Sequence, residues 1–152
     1  MFTYYLFIIT VLFYLHEFSL SDPGTVTYLN SSLGTTSGTI LSANYPADYD
    51  EDLDLFWLIT ADAGDLVMIV THFQEIHLPS TSASSCSDAV ETADYLNYYD
   101  GDATTDTLLK TACDDSYDKS VTSSQENMLL HFSSDSSQNA NGFLLRYYLK
   151  RK

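Results

Sequence analysis

The sequence predicts an all-β chain, an antiparallel β-sandwich of jelly-roll-like type, and three observations carry that prediction. Short runs rich in aromatic, aliphatic and β-branched residues recur about every ten residues. Turn formers separate them, and no segment sustains helical periodicity over more than two turns. Regular short strands with frequent turns favour a sandwich over a helical or α/β fold. At 152 residues the length fits one domain with a hydrophobic core of its own.

The chain opens with MFTYYLFIITVLFYLHEF, almost unbroken apolar sequence from Phe2 to Leu15 before His16 and Glu17 interrupt it. That run is well short of the ~20 residues needed to cross a bilayer. Ser19-Leu20-Ser21 follows, a small-x-small tripeptide of the kind signal peptidase accepts. Residues 1–21 therefore read as a secretory signal, although no Lys or Arg precedes the apolar run. A retained membrane anchor and a buried N-terminal strand are the competing readings.

Residues 22–37 read as a Ser/Thr-rich leader holding one edge strand at 25–29, TVTYL. Within the leader, Asn30-Ser31-Ser32 makes Asn30 a candidate glycosylation site. Residues 38–150 form the domain proper. Strands are expected at 55–60 (LFWLIT), 66–73 (LVMIVTHF), 95–99 (YLNYY), 128–132 (MLLHF) and 143–149 (FLLRYYL). Turn signals lie between them: Ala63-Gly64-Asp65, Asp100-Gly101-Asp102, residues 133–137 and Asn141-Gly142. In the run 66–73, Leu66, Met68 and Val70 share one face and Val67, Ile69 and Thr71 the other. A strand apolar on both faces belongs in the middle of a sandwich.

The net charge is −15, and cleavage after residue 21 would leave ~−14, because Glu17 departs with the signal. Such a charge excludes the basic footprint of a nucleic-acid binder. It favours basic protein partners or divalent cations over anionic membranes. Two cysteines, Cys86 and Cys113, in an oxidising compartment suggest one disulfide; two free buried thiols are the alternative. His72 and His77 flank Glu75 but stand five apart, which fails the i, i+4 spacing of a zinc-protease helix. No Gly-x-Ser-x-Gly and no phosphate-binding glycine loop occurs. No catalytic residue is expected.

Five motifs in order resemble the CUB domain, an extracellular β-sandwich recognition module. They are Gly38-Thr39-Ile40 with Ser42-Ala43-Asn44-Tyr45-Pro46 and Tyr49; Leu55-Phe56-Trp57-Leu58-Ile59; and Asp94-Tyr95-Leu96-Asn97-Tyr98-Tyr99-Asp100-Gly101. Asn127-Met128-Leu129 and Phe132-Ser133-Ser134-Asp135 with Gly142-Phe143 complete the pattern. Ala43 replaces a family proline, Leu55 replaces the second cysteine, and its partner is absent from 26–30. Leu55 can fill the vacated space apolarly. The remaining family bridge falls on Cys86 and Cys113, with a longer loop between Cys86 and Asp94. The resemblance implies that Trp57 is core.

Many members of that family hold one Ca²⁺ at the end of the sandwich, where a hard cation collects oxygens from separate loops. Carried over by position, the resemblance implies Asp94, Asp135, Ser137 and Tyr49 as the site. The family glutamate falls on Ile76 or His77, and Glu75 could reach the site only through a bulge or shifted register. The expected function is a secreted, non-enzymatic recognition protein. It would bind an extracellular protein whose own Lys or Arg residues make the contact, helped by Ca²⁺, with no nucleic acid and no stable membrane insertion. The CUB piece of a larger protease or receptor, and a spermadhesin-like carbohydrate binder recognising a glycan, are the alternatives. The acidic run 48–54 is expected to be a solvated loop.

Overall fold

The computed structural model describes residues 25–30, 36–78, 94–113 and 119–151. The predicted signal at 1–21 lies outside the described residues, as does Cys86. Nine strands occur: β1 (Thr25–Asn30), β2 (Ser37–Leu41), β3 (Asp54–Thr60), β4 (Asp65–Glu75), β5 (Tyr95–Asp100), β6 (Thr107–Ala112), β7 (Ser120–Thr122), β8 (Asn127–Ser133) and β9 (Gly142–Arg151). They form a five-stranded sheet ordered β1-β3-β8-β5-β6 and a four-stranded sheet ordered β2-β9-β4-β7. Every pairing is antiparallel except β1 with β3, which is parallel. Among the described residues no helix occurs, and none could cross a membrane. The predicted all-β sandwich is what the chain forms.

Period-2 alternation builds the core between the sheets. The five-stranded sheet contributes Ile59, Leu96, Tyr98, Met128, Leu130 and Phe132, and the four-stranded sheet Val67, Ile69, Phe143, Leu145 and Tyr147. All are buried, and fully burying an aliphatic or aromatic side chain contributes ~1.5–3 kcal/mol each. β4 behaves as its two-faced pattern requires. It lies between β9 and β7, with Val67, Ile69 and Thr71 buried and Leu66, Met68 and Val70 half-buried on the other face. Trp57 is half-buried against the core, edge-on to Phe143 at 5.8 Å, and Leu55 packs there too.

A register shift between Thr71 and Phe73 interrupts the β4–β9 ladder and leaves His72 without a partner on β9. Such a bulge re-aims every side chain beyond it. After it, Gln74 and Ile76 are buried while Glu75 is exposed. The bulge thus decides which residues face the end of the sandwich.

Candidate functional site

Three segments meet at one end of the sandwich: the β2–β3 loop, the start of β5 and the β8–β9 loop. Backbone pairing stitches the first to the third. Tyr49 N donates to Ala140 O at 3.1 Å, Asp52 N to Asp135 O at 2.9 Å and Ser134 N to Leu53 O at 3.0 Å. Ser134 adds a side-chain link, its Oγ accepting from Leu53 N and donating to Asp50 O, both at 2.9 Å. Asn141 Nδ2 ties back to Pro46 O and Asp48 Oδ1. The carboxylates of Asp48, Asp50, Glu51 and Asp52 are exposed above this fixed backbone, as a solvated acidic loop requires.

Beneath that loop stands Asp94, a carboxylate with 0% exposure. Its Oδ1 accepts the backbone N–H of Asp135 at 2.7 Å, and its Oδ2 accepts the hydroxyl of Tyr49. Burial pushes the Asp94 carboxyl above its ordinary range, while hydrogen bonds from Tyr49 and Asp135 and the nearby His77 act against the rise. Tyr49 is 1% exposed, its ring edge-on to Phe132 at 5.0 Å. Burial pushes its phenol up as well, and the bond to Asp94 pushes in the same direction. Its oxygen also accepts the backbone N–H of His77 at 2.9 Å. The Asp135 carboxylate turns to its own loop, Oδ1 accepting from Ser137 N at 2.7 Å and Ser137 Oγ at 3.1 Å.

Four of the sequence-predicted residues, Tyr49, Asp94, Asp135 and Ser137, therefore form one hydrogen-bonded chain. Glu75 is not part of it, because the bulge at His72 turns Glu75 outward. Of the two residues expected in the glutamate slot, Ile76 enters the core and His77 lies beside Tyr49. Among the described residues, no three His, Cys, Asp or Glu side chains converge. The Asp94 carboxylate is buried, and among the described residues no cationic side chain is hydrogen-bonded to it; Asp135 meets it through its backbone N–H rather than its carboxylate.

Cys113, just beyond β6, is buried and is not a free thiol. Asn30 ends β1. Sequence reasoning missed one pairing entirely. His131 Nε2 lies 2.5 Å from Asp54 Oδ1, its ring stacked on Phe56 at 4.1 Å and edge-on to Tyr95 at 5.5 Å. No local signal marks it, since the partners are brought together only by the β3–β8 ladder.

A family model described as the CUB domain matches residues 30–147. Cubilin of Canis lupus familiaris is 30% identical over 130 residues, covering 86% of this chain and 3% of that protein. The full extracellular region of zebrafish Gpr126/Adgrg6 superimposes with a TM-score of 0.64 at 24% identity, over 86% of this chain and 15% of that one. The MASP-1 CUB2 domain bound to Ca²⁺ superimposes with a TM-score of 0.64 at 18% identity, over 80% of this chain and 96% of that one. The motif order, the two-sheet architecture and the family match agree: this chain belongs to the CUB domain family.

Proposed function

We propose that this domain is an extracellular, non-enzymatic recognition module that binds a protein partner through the loop end, assisted by Ca²⁺ at Asp94 and Asp135. The observation that carries the reading is the buried Asp94 carboxylate, held by Tyr49 and Asp135 beneath an acidic loop. Ionised carboxylates are costly to bury without a counter-charge. The MASP-1 CUB2 structure, similar in fold, was solved with Ca²⁺. When bound, the ion would supply that charge and leave neighbouring oxygens free to accept from a Lys or Arg of the partner. Tyr49 would hold Asp94 in orientation, and Ser137 would fix the Asp135 carboxylate. Two carboxylates place the expected affinity in the weak, roughly millimolar range of extracellular modules. In this reading residues 1–21 are a cleaved signal and Cys86 pairs with Cys113.

Thermal unfolding with calcium against chelator tests the proposal, since a ligand of the native state alone must raise Tm. The expected result is a rise at millimolar Ca²⁺ that Asp135→Ala abolishes. An absent shift in the unsubstituted chain would remove the cation, and a shift that persists in Asp135→Ala would place it elsewhere. A glycan array run with and without Ca²⁺ separates protein recognition from a carbohydrate-binding role. A second reading, one module of a longer extracellular protein, is favoured by the small share of cubilin that the chain spans. Longer transcripts carrying this domain would support it.

A further inference from the structure

The outward face of the four-stranded sheet is a second surface, with chemistry unlike that of the loop end. Ladder register sets Lys150 beside Leu66, Tyr148 beside Met68 and Arg146 beside Val70. β4 thus contributes an apolar row, and β9 two cations with an aromatic ring between them. The flanking strands extend these rows with hydroxyl side chains only, Ser37 and Thr39 on β2 and Ser120 and Thr122 on β7. No carboxylate stands in the three rows, although the chain's net charge is −15. Three of its six Lys and Arg residues lie on β9: Arg146, Lys150 and Arg151. Arg146 and Lys150 are exposed, and among the described residues neither is in an ion pair. Leu66, Met68, Val70 and Tyr148 are half-buried, and a continuous, partly accessible apolar row bordered by unpaired cations is the kind of surface that takes a partner.

We infer that this face docks an extended acidic segment of a partner protein, one with an apolar or aromatic side chain midway between two carboxylates. Charge complementarity selects the acids, because among the described residues the only charged side chains in these three rows are cations, the exposed Glu75 standing two rows further along β4. Spacing selects the conformation. Arg146 and Lys150 are four residues apart on one strand face, or about 13 Å at the strand rise. Residues i and i+4 of an extended peptide have that same separation and share a face. Residue i+2 then falls over Tyr148 and Met68, where an aromatic ring finds apolar and aromatic neighbours. The inference stands apart from the calcium reading, since none of these residues touches the loop end.

The test is an NMR titration of the full chain with the end-capped peptide Glu-Thr-Tyr-Thr-Glu, and with Lys-Thr-Tyr-Thr-Lys as control, both in chelator. Amide shifts confined to β4 and β9 with the acidic peptide, salt-sensitive and absent with the basic one, are expected. Arg146→Glu with Lys150→Glu should weaken that binding roughly tenfold, the scale of losing two exposed charge pairs. Both residues are exposed, so Tm should hardly move; Arg146→Gln with Lys150→Gln provides the same loss should charge reversal disturb folding. Equal binding of both peptides, shifts at the loop end, or an unchanged Kd in either double variant would overturn the inference. So would preference for a sulfated oligosaccharide over the acidic peptide, or sedimentation showing that a second copy of the chain covers this face.

Discussion

The backbone N–H of Asp135 donates to the Asp94 carboxylate at 2.7 Å across 41 residues of sequence. The β8–β9 loop is therefore anchored on the first residue of the β5 motif, and the Tyr49 hydroxyl anchors the β2–β3 loop on the same carboxylate. One buried acid fixes two loops.

Tyr49→Phe tests that anchoring. The substitution keeps the ring against Phe132 but removes the one hydroxyl donor to Asp94 among the described residues, and it takes away the Tyr49 oxygen that accepts from His77 N. Losing a partner of a buried charged group costs about 1–3 kcal/mol. Urea unfolding should show that loss, and local shifts should appear at Asp135 and His77. Unchanged stability would mean that Asp94 is solvated from elsewhere.

Burial also gives Asp94 a pH signature, because its carboxyl is raised above the ordinary range. The folded chain then keeps this proton to higher pH than the unfolded chain, whose aspartates titrate near ~3.9. Within that window the native state binds more protons, so the group's contribution to stability is present at low pH and lost as pH rises through the folded pKa. Asp94→Asn cannot ionise. Measured in chelator, the variant should gain stability relative to the unsubstituted chain as pH rises from ~4 towards neutrality. A difference that is constant with pH would refute the assignment.

Much of the fold was legible because aromatic and aliphatic runs coincide with central strands. β3, β4, β5, β8 and β9 contain the expected runs and extend them by only a few residues. β1 also stands at a sheet edge, at the residues where an edge strand was expected. β6 and β7 carried no such signal. β6 is an edge strand with Leu108 half exposed and a bulge opposite Tyr98 and Tyr99, so its alternation is broken. β7 is three residues long and is defined by pairing with Met68–Val70 rather than by its own propensity. At the site, Tyr49, Asp94, Asp135 and Ser137 could be named from motif positions. Glu75 could not be placed, since its direction depends on a bulge one turn of register away. The His77 contact was invisible because it uses a backbone N–H, which every non-proline residue possesses.

Gly142 explains why the Asn141-Gly142 turn is spelled as it is. Its φ is +80°, and a Cβ there would stand 1.9 Å from Ser42 Oγ and 2.6 Å from Ser42 Cβ. Gly142→Ala should cost at least ~1–3 kcal/mol from the backbone strain alone. Adding Ser42→Ala should not restore stability, because the Cβ contact and the left-handed φ both remain. Full rescue by that second change, read as a urea midpoint, would show that the hydroxyl clash was the whole effect.

The Asp54–His131 pair can be separated into charge and packing. Its side chains are 34% and 13% exposed, and exposed pairs contribute about 0–1 kcal/mol. The stack of His131 on Phe56, with Tyr95 edge-on, is the other component, of a kind worth ~0.5–1.5 kcal/mol beyond area burial. His131→Phe keeps the ring and loses the pair, so its unfolding midpoint should stay near that of the unsubstituted chain. His131→Ala loses both and uncovers the buried Phe56 and Leu129 beside it, and should cost about 1–3 kcal/mol. If Phe and Ala substitutions were equally damaging, the polar contact with Asp54 rather than the ring would be what holds β3 to β8 on this face.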